Sequence, residues 1–406
     1  MAHAGIARTA RFDLAGASPM PELITNEGRA AGDGHKMARL QVLRAFAAFS
    51  VVAYHLTVRG QSLLGHGFFG GIFDLSGAGV DLFFVLSGFI IFTIHRSDIG
   101  SPNRAGRYLK KRIIRIYPIY WIVTLVALPV YLAGYGVGSK RDLAVILKSL
   151  ILFPQSPGKF PVVNVAWTLS FEMFFYLMFW LLIRFRSQLI ALLWVAWLVP
   201  CAVFLFLKLT DLWQPPGNLL FTFVFSERNL EFALGCLVAW LIGRVVVPAP
   251  RLFLLAGLAA FLGLAFSASL AHGFVPLQDN SVALFAIPSV LMVLGAAAAD
   301  LGSRRAPPRP LVYLGDASYT LYLIHFGFIT AAFLAFRHLG LGGSDLFAPE
   351  AIVTGAAAGV AACLIYRYVE KPMLDSLRRR FIPSQLAAPA GATDTVATPL
   401  STKDGL

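Results

Sequence analysis

The sequence predicts an all-α, polytopic membrane protein with about ten transmembrane helices plus one short interfacial or re-entrant helix. Three observations lead there. The 406 residues are 57% hydrophobic and only 14% charged, where a soluble domain carries about 25% charge, and the mean hydropathy is +0.71. Apolar stretches recur at the length that crosses a bilayer core, about 20 residues of helix. Lys and Arg gather in the short segments between those stretches, as the positive-inside rule requires. That placement accounts for the net charge of +13 without nucleic acid, the partner such a charge suggests in a soluble protein.

Taken in chain order, residues 1–37 mix acidic, basic and helix-breaking residues and lack a small-residue cleavage site after the first apolar run. They read as a disordered cytoplasmic segment and not as a signal peptide. Spans are expected at 40–58, 80–95, 116–134, 166–183, 188–207, 229–247, 252–270, 282–299, 316–337 and 350–368. The run 143–153 is too short to cross, contains Lys148 and stops at Pro154, so it is expected at the interface. Counting it as a span would move most of the later arginines outside, so ten spans with both termini cytoplasmic is the consistent topology. The membrane domain is 38–375, and 376–406 is a basic, then disordered, cytoplasmic tail. Cys201, Cys236 and Cys363 lie in three different apolar stretches without CxxC or Cys/His spacing, which supports neither a disulfide framework nor a metal site.

Several polar residues fall where a bilayer penalises them. Arg44 and His55 are eleven positions apart in the first span, three helical turns, and so share a face about 16 Å apart. An arginine within a span costs about 2.5–3.5 kcal/mol on insertion scales. A snorkelling Arg44 and a packing His55 are the plain alternative, but the shared face favours an interior polar column. In KKRIIRIYP, Arg112 and Arg115 lie on one helix face, able to clamp phosphate or to act simply as positive-inside charge. Asp81 begins the second span, with Ser87-Gly88 at its middle. Trp167, Ser170 and Glu172 open the fourth span, where Trp167 is either a belt anchor or a wall for the acceptor. Glu172 needs a partner, and His55 lies at the same expected depth. Arg228 and Glu231 open the sixth span at a pairing distance. Ser318, Tyr322 and His325 follow at i, i+4, i+7 in the ninth span, a stripe able to line a site or to join helices.

Together these segments resemble the acyltransferase-3 family of membrane acyltransferases. The matching pieces are the Arg44–His55 pattern, GVDLFFVLSGFII at 79–91, KKRIIRIYPIYW at 110–121 and WTLSFEMFFY at 167–176. RNLEFALG at 228–235, LGDASYTLYLIH at 314–325 and YRYVEKPM at 366–373 complete the set. Members O-acylate bacterial surface polysaccharides, lipopolysaccharide, Nod factors and some small molecules. The resemblance implies His55 as the catalytic residue, Arg44 and Arg115 as its essential companions, and acyl-CoA, usually acetyl-CoA, as co-substrate, with no permanently bound cofactor. It also implies a carbohydrate acceptor, such as an exopolysaccharide or lipopolysaccharide sugar, and a bacterial inner-membrane location. The chain departs from the family in its short 134–166 segment and its small outer loops.

The chemistry is consistent with these residues. Acyl transfer needs a sugar hydroxyl to lose its proton as it attacks a thioester, a task for a neutral imidazole with a pKa near 6.5. An acyl-histidine intermediate is the alternative. Glu172 or Asp81 is expected to hold the histidine's tautomer, and Arg44 to stabilise the oxyanion. The donor is expected along Arg112, Arg115, Ser87, Tyr319, Tyr322 and His325, and the acceptor at Trp167, Arg228 and Glu231. The alternative function is a transporter or flippase of a lipid-linked sugar, which also buries charge at midplane; the sequence carries no internal repeat to support it.

Overall fold

The computed structural model describes residues 37–71, 73, 76–186, 188–212, 218–270, 281–302 and 305–382. The expected disordered segments fall outside these residues, apart from Met37 and the basic stretch that ends the last helix. Fourteen α-helices follow in order: α1 (Ala38–Leu64), α2 (Gly79–His95), α3 (Pro102–Leu132), α4 (Leu143–Leu150), α5 (Trp167–Arg184), α6 (Gln188–Leu209) and α7 (Leu219–Val224). Then come α8 (Arg228–Ile242), α9 (Pro250–Leu270), α10 (Ser281–Gly302), α11 (Arg309–Asp316), α12 (Ser318–His338), α13 (Ser344–Ile365) and α14 (Lys371–Phe381). Among the described residues, nine helical stretches are long and apolar enough to cross a membrane. The one remaining expected span, the sixth at 229–247, forms the 15-residue α8, about 22 Å long and shorter than a bilayer core of about 30 Å.

The spans sort by what surrounds them. The α2 span is the most enclosed, 67% buried against 17% for α6. The outward residues of α6, such as Leu192, Val199 and Phe206, are exposed, as a lipid-facing helix requires. Helix α8 packs closely on α2 because each supplies a glycine at the crossing. A Cβ on Gly88 would lie 2.0 Å from the Phe232 carbonyl oxygen, and one on Gly235 would lie 2.0 Å from that of Val85. The mid-membrane glycine is therefore there for close approach.

The 143–153 run folds back because α3 satisfies its end. The last carbonyls of any helix lack intrahelical donors. At the end of α4, Tyr120 Oη donates to Ser149 O (2.6 Å), Trp121 Nε1 to Leu150 O (2.9 Å) and Tyr117 Oη to Ile151 O (3.0 Å). At the other end of the bundle, the first N–H groups of α1 are met by α10. Arg39 N donates to Asp300 Oδ2 at 3.0 Å, and its guanidinium pairs with the same carboxylate at 2.9 Å. Between α13 and α14 the chain makes one π-helical stretch, Tyr366–Glu370. Pro372 has no N–H to offer Tyr368, and Lys371 N–H reaches back five residues to Tyr366 O. That turn directs Glu370 into the bundle, where it is fully buried.

Candidate active site

Helices α1 and α12 bring two histidines into contact. His325 Nε2 lies 3.0 Å from His55 Nδ1. His325 Nδ1 lies 3.0 Å from Leu321 O, and His55 Nδ1 lies 3.0 Å from Val51 O. A carbonyl can only accept, so both Nδ1 atoms carry hydrogen. His325 Nε2 is then a lone pair that accepts from His55 Nδ1–H, a tautomer set by the partner of the other nitrogen. His55 Nε2 is left basic and makes no hydrogen bond to the described protein. The ring is held edge-on to Phe326, with centroids 5.2 Å apart, and to Tyr54 at 4.9 Å.

A cavity of about 880 Å³, counting space open toward solvent, runs toward this pair from the arginine end of the bundle. Arg44, Arg112, Arg115 and Glu172 line it, and Tyr322 and Thr168 belong to its wall. Tyr322 bonds Thr168 at 2.8 Å, and its ring centre lies 5.8 Å from that of His325. The cavity therefore approaches within one side chain of the histidines. Its three arginines are engaged differently. Arg115 pairs with Glu370 at 2.6 Å and lies over the Tyr319 ring. Arg112 donates to His95 Nε2 at 2.8 Å, between the rings of Tyr108 and Tyr176; His95 in turn bonds Asp98 at 2.8 Å. Arg44 donates only to Gln41 Oε1, at 3.2 Å, with no carboxylate in ion-pair reach among the described residues. Its remaining donors are available to a ligand.

Residues 37–368 match the acyltransferase-3 family, described as an acyltransferase domain. The chain belongs to the acyltransferase-3 family. It is 32% identical over 330 residues to the exopolysaccharide production protein ExoZ of Rhizobium meliloti, covering 78% of this chain and 96% of that one. It is 28% identical to the acyltransferase MdmB of Streptomyces mycarofaciens (88% and 96% covered), and 23% identical to the O-acetyltransferase OatA of Staphylococcus aureus, covering 82% of this chain and 56% of OatA. No solved structure matches the chain. With its long apolar helices, this acyltransferase is a multi-pass membrane protein.

Within this acyltransferase the expected residues separate into groups. Ser87, Tyr319 and Tyr322 line the cavity with the arginines. His325 was expected along the donor path; instead it bonds His55. Neither carboxylate expected to orient His55 does so. Glu172 faces the arginines and accepts from Tyr176 Oη, one turn on. Asp81 turns toward α8, where Arg228 pairs with it at 3.3 Å. Arg228 thus takes Asp81 in place of Glu231, whose buried carboxyl lies against that of Asp81. The Arg228 guanidinium also lies 5.0 Å from the Trp167 ring. Trp167 and Ser170 line a second, aromatic-walled cavity of about 700 Å³ with Phe153, Phe160 and Phe223. Glu370, Arg59 and Lys140 are not among the residues that the sequence marks as candidates. Only the last two lie near the second cavity's end of the bundle.

Lys140 sits in the segment after α3, buried, with Nζ donating to Tyr131 Oη and Val162 O, both at 3.0 Å, and to Asn164 Oδ1. Burial, aided by the charge of Arg59, pushes its amine down from 10.5 to about 8. Between those values the unfolded chain holds more protons than the folded one, so stability rises with pH there. Below about 8 both states are protonated and the burial penalty is fully felt. Thermal unfolding of the purified protein from pH 8 to 10 is expected to show this gain, and Lys140→Met to remove it; an equal gain in the variant would contradict the assignment.

Proposed function

We propose that this chain transfers an acyl group, with acetyl the first candidate, from cytoplasmic acyl-CoA to a carbohydrate hydroxyl, with His55 as general base. The observation that carries this reading is the chain Leu321 O, His325, His55, which leaves His55 Nε2 as an unprotonated nitrogen. The sugar O–H bond gives its proton to Nε2 as the oxygen attacks the thioester carbonyl. The C–S bond then breaks, and the proton passes to the leaving thiolate. The imidazolium formed in between shares its Nδ1–H with His325 and Val51 O. His325 acts as the positioning residue, the part a carboxylate takes in a serine-hydrolase triad. The exopolysaccharide and O-acetyltransferase names of ExoZ and OatA favour a carbohydrate acceptor.

The donor's phosphates are assigned to Arg44 and Arg112, with the thioester arm directed past Tyr322. The loop charges orient this end toward the cytoplasm of an inner membrane, and with α8 counted as a short tenth crossing both termini lie on that side. The acceptor reaches His55 from the other end, its neighbouring sugars along the Trp167 cavity, whose aromatic faces suit pyranose rings. Purified protein supplied with acyl-CoA and an oligosaccharide is expected to release CoA and acylate the sugar. A transporter or flippase would consume no thioester, and that outcome would overturn the reading. Arg44→Lys keeps the charge but loses the planar fork. It is expected to raise the donor KM about tenfold, the scale of one charge-assisted hydrogen bond. The wild-type donor affinity should also fall with added salt; an unchanged KM in the variant would remove Arg44 from the donor site.

A further inference from the structure

We propose that Arg59, with Lys140 behind it, holds an oxyanion carried by the acceptor beside His55 at the acceptor end. This rests on the acyl-transfer reading and adds a specificity to it. Arg59 lies four residues after His55 on α1, so the two share a face. Its Nε donates to Thr330 Oγ1 at 3.1 Å, and its guanidinium lies 5.3 Å from the centre of the Phe326 ring. His55 meets that same ring at 5.2 Å, so Arg59 and the catalytic imidazole have a common wall. A guanidinium at a helix end ordinarily extends to water; this one is folded back toward α12, and its Nη groups make no hydrogen bond among the described residues.

The charge balance of the chain singles this place out. Elsewhere, four partly buried cations hold carboxylates: Arg39 with Asp300, Arg115 with Glu370, Lys208 with Glu227 and Arg228 with Asp81. Among the described residues Arg59 and Lys140 have no carboxylate in ion-pair reach, and Lys140 places its protons on neutral oxygens. Arg59 adds to the burial that depresses the Lys140 amine, so the two positive charges act on one region. Partly desolvated cations without a counter-charge are costly. Among the described residues Arg44 and Arg112 also lack a carboxylate in ion-pair reach, and they line the donor cavity, where the donor's phosphates balance them. The same logic at the acceptor end calls for a negative group near the acylated hydroxyl, a carboxylate of an acidic sugar or a phosphate of its carrier.

The test uses the full-length protein in lipid nanodiscs with acetyl-CoA and three acceptors. These are a uronate-containing oligosaccharide, the same oligosaccharide after carboxyl reduction, and the reduced form on a polyprenyl diphosphate. The wild type is expected to use at least one charged acceptor about tenfold better than the neutral one, mainly through KM, as one charge-assisted contact implies. A preference for the uronate locates the charge on the sugar, and one for the diphosphate locates it on the carrier. Arg59→Gln is expected to bring the ratio close to one, and Arg59→Lys to retain part of it, which a merely structural role would not produce. Lys140→Met should narrow the ratio less. Equal use of all three acceptors by the wild type, or an unchanged preference in Arg59→Gln, would overturn the subsite and leave acyl transfer standing. No transfer to any acceptor would overturn the acyl-transfer reading itself.

Discussion

His55→Ala is expected to lower acyl transfer about a thousandfold, within the range for a general base positioned at the reacting proton. The protein should remain folded, because the substitution removes a polar group from a span and leaves only a small apolar gap. His325→Ala is expected to cost less, because Val51 O still accepts from His55 Nδ1 and preserves the tautomer. The loss should fall in kcat with little change in either KM, since His325 touches neither the donor arginines nor Arg59. Glu172→Gln is the control. If the carboxylate were the orienting group, it would reproduce the His325 defect; facing Arg44 and Arg115 in the cavity, it should instead change the donor KM. The measurement is transfer of labelled acetyl to oligosaccharide by purified variants matched for thermal stability. Wild-type turnover in His55→Ala would end the general-base assignment. A labelled adduct on His55, trapped by rapid acid quench before acceptor is added, would replace it with the covalent route.

The spans were legible because a bilayer demands one thing of every crossing helix, a long apolar run, and the 143–153 segment failed that demand at Lys148 and Pro154. The faces of single helices were legible for the same kind of reason. Eleven residues separate Arg44 from His55, and 318, 322 and 325 form a stripe. What spacing along one helix cannot supply is the register between helices. His325 was recognisable as inward-facing, but that it meets His55, and that Glu172 and Asp81 do not, depends on how α12, α5 and α2 are rotated and staggered against α1. Asp81 follows α8 because the Gly88–Gly235 crossing brings those helices closest. Arg59 was hidden for a different reason. At the end of an apolar run an arginine looks like an interface anchor, and only the positions of Phe326 and Thr330 distinguish it from one. Glu370 was masked by its π-helical turn, which changes the face that an α-helical count assigns.

Glu370→Ala is expected to destabilise the fold by about 3–5 kcal/mol, the cost of leaving one member of a buried ion pair without the other. Glu370 is fully buried, and Arg115 is mostly so, with 0% and 22% side-chain exposure. Removing the carboxylate strands the guanidinium and also takes away the acceptor of the Thr320 hydroxyl. Replacing both partners with apolar residues of similar volume should recover most of the loss, because a buried pair often adds little over a well-packed hydrophobic equivalent. Thermal unfolding in mild detergent of Glu370→Ala, Arg115→Met and the double variant Arg115→Met/Glu370→Leu would measure this. Wild-type stability in Glu370→Ala would mean that the pair carries no structural load. The double variant also separates two roles for Arg115 that the single substitutions confuse. Its position over the Tyr319 ring and its bond to Glu370 fix the junction of α3, α12 and the π-helical turn, whereas the family resemblance makes it a companion of the catalytic histidine. If the stable double variant keeps the wild-type donor KM, the need for Arg115 is architectural, and Arg44 and Arg112 hold the donor. If its donor KM rises about tenfold, Arg115 reaches the phosphates as well, and Glu370 is the counter-charge it leaves when donor binds.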